Sequence, residues 1–285
     1  MQRSRFVYAI IMAMVALVII PTQTAQANPG HTILFGNSIF ANPTYEQLND
    51  TFGKMNPYTG QGKPGRPSPQ GCPQGAHTVA TELTRITGKR TINYGCPGTS
   101  SASPSTRFSF QSQVDHAIRN GDVAGASNII IMIGINDGVR HFYNPNSAIP
   151  KIQREVVIKI RDIKRANPRA HVATVAYPSF SADNGAICPV RINPLNKRTG
   201  APFDSFAFKA IEESADYALY KAAVETGSQF YDLRGATRYN NMCAPNHIRW
   251  MAGTVETQNP HNFAGHLTHN GVTGVARLLA NNVVK

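Results

Sequence analysis

Apolar positions along the chain fall into two kinds of run that alternate. Short continuous runs of strand length occupy 31–35, 90–94, 128–133, 171–177 and 229–233, the most hydrophobic carrying Ile129, Ile130, Ile131 and Ile133. Uninterrupted runs of this kind belong to strands buried on both faces of a parallel sheet. Between them lie segments of helical spacing: 76–87 with Val79, Leu83 and Ile86, 110–120 with Val114 and Ile118, 148–166 with Ile152, Val156, Ile160 and Ile163, then 206–226 and 272–282. Gly88 and Pro168 stop two of them. This alternation predicts an α/β fold, a three-layer α/β/α sandwich with a mainly parallel sheet of about five strands, whose chemistry sits at the carboxyl ends of the strands. The segments 56–75, 178–204 and 234–265 show no period and are expected as loops.

The N-terminus is of another kind. Arg3 and Arg5 precede an apolar run over 6–20, and a polar stretch then ends in Ala25-Gln26-Ala27. This is the layout of a secretory leader over 1–27, since the apolar run falls short of the about 20 residues that span a bilayer. It leaves 28–285 as one catalytic domain, secreted or held in the cell envelope. Four cysteines follow, Cys72, Cys96, Cys188 and Cys243. In an oxidising compartment an even count implies disulfides. Of the three pairings, Cys72 with Cys96 and Cys188 with Cys243 close the shorter rings in loop-rich segments. No C-x-x-C occurs, which argues against a cysteine metal site.

Net charge is +12, or +10 without the leader's Arg3 and Arg5. The basic residues are scattered rather than interleaved with aromatics, so nucleic acid is not an expected partner. The densest group, Lys159, Arg161, Lys164, Arg165 and Arg169, reads as a solvated helix face. Contact with an anionic envelope surface is compatible with the overall field. With no contiguous apolar surface stripe, a monomer is expected.

Four segments fall at strand ends or just before the last helix. Gly36-Asn37-Ser38-Ile39 follows the first strand and can expose a serine at the sheet rim. Gly98, in Asn93-Tyr94-Gly95-Cys96-Pro97-Gly98-Thr99, can bring a backbone N–H close to a ligand. Gly134-Ile135-Asn136-Asp137 presents an amide after the most hydrophobic strand. His266-Leu267-Thr268-His269 offers an imidazole able to accept a proton near neutral pH.

In this order the four segments resemble the blocks of the SGNH (GDSL-type) hydrolases, a flavodoxin-like fold, and more narrowly the disulfide-bearing secreted actinomycete esterases. The family's Gly-Asp-Ser opening corresponds to Gly36-Asn37-Ser38, its second-block glycine to Gly98, its Gly-x-Asn-Asp to Gly134–Asp137, and its closing Asp-x-x-His to His266–His269. The resemblance implies an ester hydrolase of carboxylesterase or lipase type. Ser38 is then the nucleophile and His269 the base, while the Ser38 N–H, the Gly98 N–H and the Asn136 amide form an oxyanion hole. The first cysteine pairing above resembles the one in that subgroup.

Two departures matter. Asn37 replaces the aspartate beside the nucleophile, exchanging an acceptor for a donor. His266 stands where the triad acid belongs and is expected to serve through its backbone carbonyl, orienting His269 in a Ser-His dyad; the rival is that Asp232 or Glu256 swings in as the acid. A zinc site on His261, His266 and His269 would leave the serine and amide segments unexplained, so neither metal nor organic cofactor is implied. The expected substrate is a small-molecule, lipid or glycan ester. The alternatives are an O-acyltransferase or deacetylase acting on envelope glycans or lipids, and an inactive protein that keeps the fold for envelope binding.

Overall fold

Every residue from Thr32 to Gly36 is buried, because β1 (His31–Gly36) has a parallel neighbour on each side, β2 (Thr91–Asn93) and β3 (Ala126–Met132). In the computed structural model, which describes residues 30–48, 62–101, 108–192 and 201–285, β3 is followed outward by β4 (His171–Val175) and β7 (Gln229–Tyr231). The sheet has five strands in the order β2-β1-β3-β4-β7, all pairs parallel. The expected leader at 1–27 lies outside the described residues, as do parts of the loops 56–75 and 178–204.

The strand period of two sorts the sheet's side chains into two cores. Ile33, Phe35, Ile129 and Ile131 pack with α4 (Phe110–Arg119), α6 (Ile149–Ala166) and α7 (Phe206–Thr226), through Val114, Ile152, Val156, Ile160 and Leu219. Leu34, Ile130 and Met132 face the other way, against Leu83 of α3 (Val79–Thr87) and Val272, Val275 and Leu279 of α9 (His269–Asn282). Each such aliphatic side chain contributes about 1.5–3 kcal/mol on burial. Helices therefore cover both faces, and the parallel α/β/α arrangement expected from the hydrophobic runs is the one found.

The ends obey local chemistry. Thr78 caps α3 in a reciprocal pair with Thr81, and Gly88 closes it in the left-handed conformation, its N–H on Thr84 O at 2.9 Å. The three-stranded sheet β6-β5-β8, formed by β5 (Ala186–Arg191), β6 (Ala201–Asp204) and β8 (Val255–Glu256), is absent from the sequence expectation. Its strands are short, and Pro189 interrupts the one with most apolar character, so neither alternation nor a continuous run announces them. Cys72 is bonded to Cys96 and Cys188 to Cys243. The second bond ties this small sheet to the loop beyond β7.

Candidate active site

β1 delivers its last residue to a crowded point. A Cβ on Gly36 would stand 2.6 Å from Met132 O, so only glycine lets the chain turn here. Asn37 then caps the short helix α1 (Ser38–Ala41): its Oδ1 accepts the Ile39 N–H at 3.0 Å. Its Nδ2 donates to the Tyr177 hydroxyl at 2.7 Å, a hydroxyl that also faces the Ile135 N–H at 3.5 Å. The asparagine thus keeps the capping oxygen an aspartate would supply and uses its extra donor on a tyrosine. Burial raises the Tyr177 pKa well above its ordinary value, so the phenol stays neutral. Ser38 opens α1 and remains partly exposed.

Beside this elbow lies the turn at Gly98, exposed and at φ +73°. Buried Gln113 of α4 joins the two: it donates to Gly36 O at 2.8 Å, accepts the Gly36 N–H at 3.0 Å, and reaches Thr99 Oγ1 at 3.3 Å. From the other side, α5 (Ile135–Arg140) holds the same loop. Asn136 Nδ2 donates to Thr99 O at 2.8 Å, Asp137 accepts the Ser101 N–H and hydroxyl at 2.9 and 3.0 Å, and Arg140 donates to Ser100 Oγ at 2.9 Å. An amide nitrogen carries two protons. One of them fixes the loop on Thr99 O.

The imidazole that reaches the serine is His266. Its Nε2 lies 2.8 Å from Ser38 Oγ and its Nδ1 lies 2.8 Å from Ala264 O. With Nδ1 donating to a carbonyl, Nε2 is the lone-pair nitrogen facing the hydroxyl. The sequence pattern points to His269 as the imidazole at Ser38 and to the carbonyl of His266 as its orienting group; in the structure the His266 ring makes the contact and the carbonyl behind it is that of Ala264. Thr268 caps α9, accepting the Gly271 N–H at 3.0 Å, and His269 is therefore the first residue of the helix. Its ring sits edge-on to His77 at 4.9 Å, with Nε2 3.2 Å from Asn262 Oδ1. The orienting carbonyl belongs to Ala264, while His266 O accepts the Ala252 N–H at 2.8 Å. Three residues ahead of His266 stands Phe263, whose ring packs edge-on against the imidazole. Reading Thr268 as a helix cap, from a threonine ahead of an apolar periodic run, would have put His269 inside the helix and left His266, three residues earlier, as the loop histidine.

Burial lowers the pKa of His266, and nearby His261 lowers it further, against the opposing pull of the Ala264 carbonyl. The ring is neutral and ready to accept a proton at pH 7.

The loop that carries His266 is built around a fully buried ion pair, Arg249 with Glu256. Glu256 also accepts the N–H groups of Gly253, Gln258 and Asn259 at 3.0, 2.7 and 3.1 Å. The Gly265 N–H on Gly253 O at 3.2 Å then carries that order to His266. Glu256 is thus committed to the arginine. Asp232 caps α8 (Leu233–Ala236) through the Gly235 N–H at 2.8 Å, so neither rival acid is the histidine's partner. His261, His266 and His269 are engaged separately, and among the described residues no cluster of three metal-ligating side chains occurs. On α6, Lys159 pairs with Asp115 and Asp162, Arg161 with Glu225 and Arg165 with Asp162, which makes the basic stretch a largely compensated face.

No family model matches the sequence, and no curated protein matches it. Among solved structures, the chain is similar to an extracellular lipase from Streptomyces rimosus, at 16% identity over 90% of this chain and 100% of that one, with a TM-score of 0.55. It is likewise similar to phospholipase A1 from Streptomyces albidoflavus NA297, at 13% identity over 89% and 98%, with a TM-score of 0.54. At this identity the likeness is one of fold: the chain shares the α/β architecture of these two structures, a parallel five-stranded sheet flanked by helices.

Proposed function

We propose that this chain is a secreted serine ester hydrolase working through a Ser38–His266 dyad. The observation that carries the reading is the continuous line from Ser38 Oγ through the imidazole to a backbone carbonyl, each step 2.8 Å. Ser38 Oγ attacks the ester carbonyl carbon while His266 Nε2 takes its proton. The tetrahedral oxyanion is held by the N–H groups of Ser38 and Gly98 and by the second amide proton of Asn136. His266 returns the proton to the leaving alkoxide, and a water activated by the same nitrogen cleaves the acyl-enzyme. Ala264 O fixes the tautomer, which is the part of a triad acid's task that a neutral carbonyl can perform.

Export is supported by the leader-like sequence over 1–27 and by two disulfides, which persist in oxidising compartments. The substrate class is a carboxylic ester of a small molecule, lipid or glycan. Ser38→Ala tests the reading: hydrolysis of p-nitrophenyl esters and labelling by a fluorophosphonate probe are both expected to vanish in folded protein. Undiminished hydrolysis overturns it. A series of acyl esters from acetate to palmitate then ranks the chain lengths.

A further inference from the structure

A second cavity lies away from the proposed dyad. It encloses about 690 Å³ between α7, β7 and the turn beyond β7, and it adjoins a 290 Å³ cavity that shares Glu213, Asp232 and Arg234 as walls. Ser38, Gly98, Asn136 and His266 line neither. One wall is aromatic. Tyr217 and Tyr220, a helical turn apart on α7, stand with ring centroids 6.5 Å apart and planes inclined at 35°, and Phe230 meets Tyr220 edge-on at 5.5 Å. The two tyrosines are 51% and 45% exposed. They form an open shelf.

The rest of the wall supplies hydrogen-bond donors and acceptors side by side. Buried Asp216 holds Arg234 Nε at 2.8 Å and Glu213 reaches Nη1 at 3.4 Å, so the guanidinium is a fixed donor rather than a wandering surface charge. The adjoining cavity adds Lys209 and Arg238 as cations and Asp183 as an acid.

We infer that these joined cavities are a binding site for a neutral carbohydrate, one to two sugar units on the tyrosine shelf with the chain continuing past Arg234. The composition selects this ligand class against its neighbours. A quaternary ammonium would meet an aromatic shelf, but Arg234, Lys209 and Arg238 are interleaved with the carboxyl groups, so the site offers a lone charge of either sign little net attraction. An anion would meet four carboxyl groups, Asp183, Glu213, Asp216 and Asp232. A lipid chain would have to bury fixed charges. A sugar presents an apolar C–H face to stack on the rings and hydroxyls that both donate and accept, which is what an aromatic shelf beside paired acids and bases satisfies. Pockets of this size hold ligands of that bulk. The site would tether the chain to a glycan while the ester chemistry proceeds elsewhere on the rim.

The test uses the full chain carrying Ser38→Ala, so that binding is read without turnover. Cellobiose, maltose and N,N′-diacetylchitobiose are titrated by calorimetry and by protein NMR. At least one is expected to bind with a millimolar dissociation constant and to shift resonances of Tyr217 and Tyr220. Tyr217→Ala with Tyr220→Ala should weaken that binding by about tenfold or more, whereas Tyr217→Phe, which keeps the ring, should stay within about threefold. In the chain with Ser38 intact, the tyrosine variants should leave p-nitrophenyl ester hydrolysis unchanged, so failure of the ester reading and failure of this one are separable. The inference is overturned if no disaccharide binds, if the double variant, folded by circular dichroism, binds as well as its parent, or if tetramethylammonium binds the shelf in preference to every sugar.

Discussion

The two halves of the Ser38–His266 pair are positioned by opposite means. Ser38 stands where it does because β1 is a parallel strand in register with β3, Gly36 beside Met132, and because a one-residue cap turns the strand into a helix. His266 stands in a loop with little secondary structure, whose order comes from a buried arginine and glutamate and from backbone hydrogen bonds to residues 249–253. Ser38 inherits the rigidity of the sheet, and His266 borrows its rigidity from an ion pair. A serine and a histidine at 2.8 Å can therefore be separated by damage that never touches either.

The comparison is broken most severely at the base. His266→Ala should lower kcat/KM by at least about four orders of magnitude, as loss of a nucleophile's general base does. His269→Ala, measured in the same ester assay, should change it by less than about threefold. The reverse ranking would restore His269 as the base.

Next comes the support of the loop. Glu256→Ala leaves Arg249 buried without its counter-charge and should cost about 3–5 kcal/mol in chemical denaturation. In protein still folded, kcat should fall while Ser38 keeps its place on the sheet. A variant of full stability and full activity would mean that the ion pair does not order the base.

Asn136→Ala, on the sheet-anchored side, should reduce kcat by about a hundred- to a thousandfold. Because Asn136 Nδ2 also fixes Thr99 O, Asn136→Asp should not rescue it. A drop confined to KM would assign the amide to ground-state binding instead.

The smallest effect is one of pH. Burial lowers the pKa values of His77, His261, His266 and His269. For His266 the base form survives below the ordinary histidine value of about 6.5, so kcat/KM should hold its plateau at that pH and decline only in more acidic solution. For all four, the unfolded chain binds protons more readily than the folded one. Their contribution to stability is therefore present above about pH 6.5 and is lost as pH falls through the lowered values. Burial raises the carboxyl pKa values of Asp216 and Glu212, which act in the opposite direction over this range, so the histidine contribution is read by difference. Replacing His261 and His269 by glutamine should lessen the loss of stability between pH 7 and 5, and an unchanged pH profile of thermal unfolding would contradict this sign.

Legibility follows the same division. The five strands of the parallel sheet and the helices over both faces were readable because burial on two sides writes an uninterrupted apolar run and burial on one side writes a 3.6-residue stripe. Gly36, Ser38, Gly98 and Asn136 were readable as rim positions because they lie at or just beyond the ends of such strands. The pairing of His266 rather than His269 was not. Both residues are histidines in one six-residue stretch, and the difference between them is that Thr268 caps the helix and sends one ring toward His77. The strands β5, β6 and β8 left no pattern, because pairs only a few residues long across a proline and a distant loop have no period to show.

The amino-acid sequence by itself determined the layers, the order of strand and helix, and which side chains reach the carboxyl rim, since these follow from local periodicity and turn chemistry. Only the tertiary structure decided which imidazole meets Ser38, which carbonyl orients it, and that Arg249 and Glu256 lie beneath the loop. Those choices depend on contacts between residues more than two hundred positions apart, as His266 and Ser38 are, and on a desolvated charge pair whose partners nothing in their local sequence identifies.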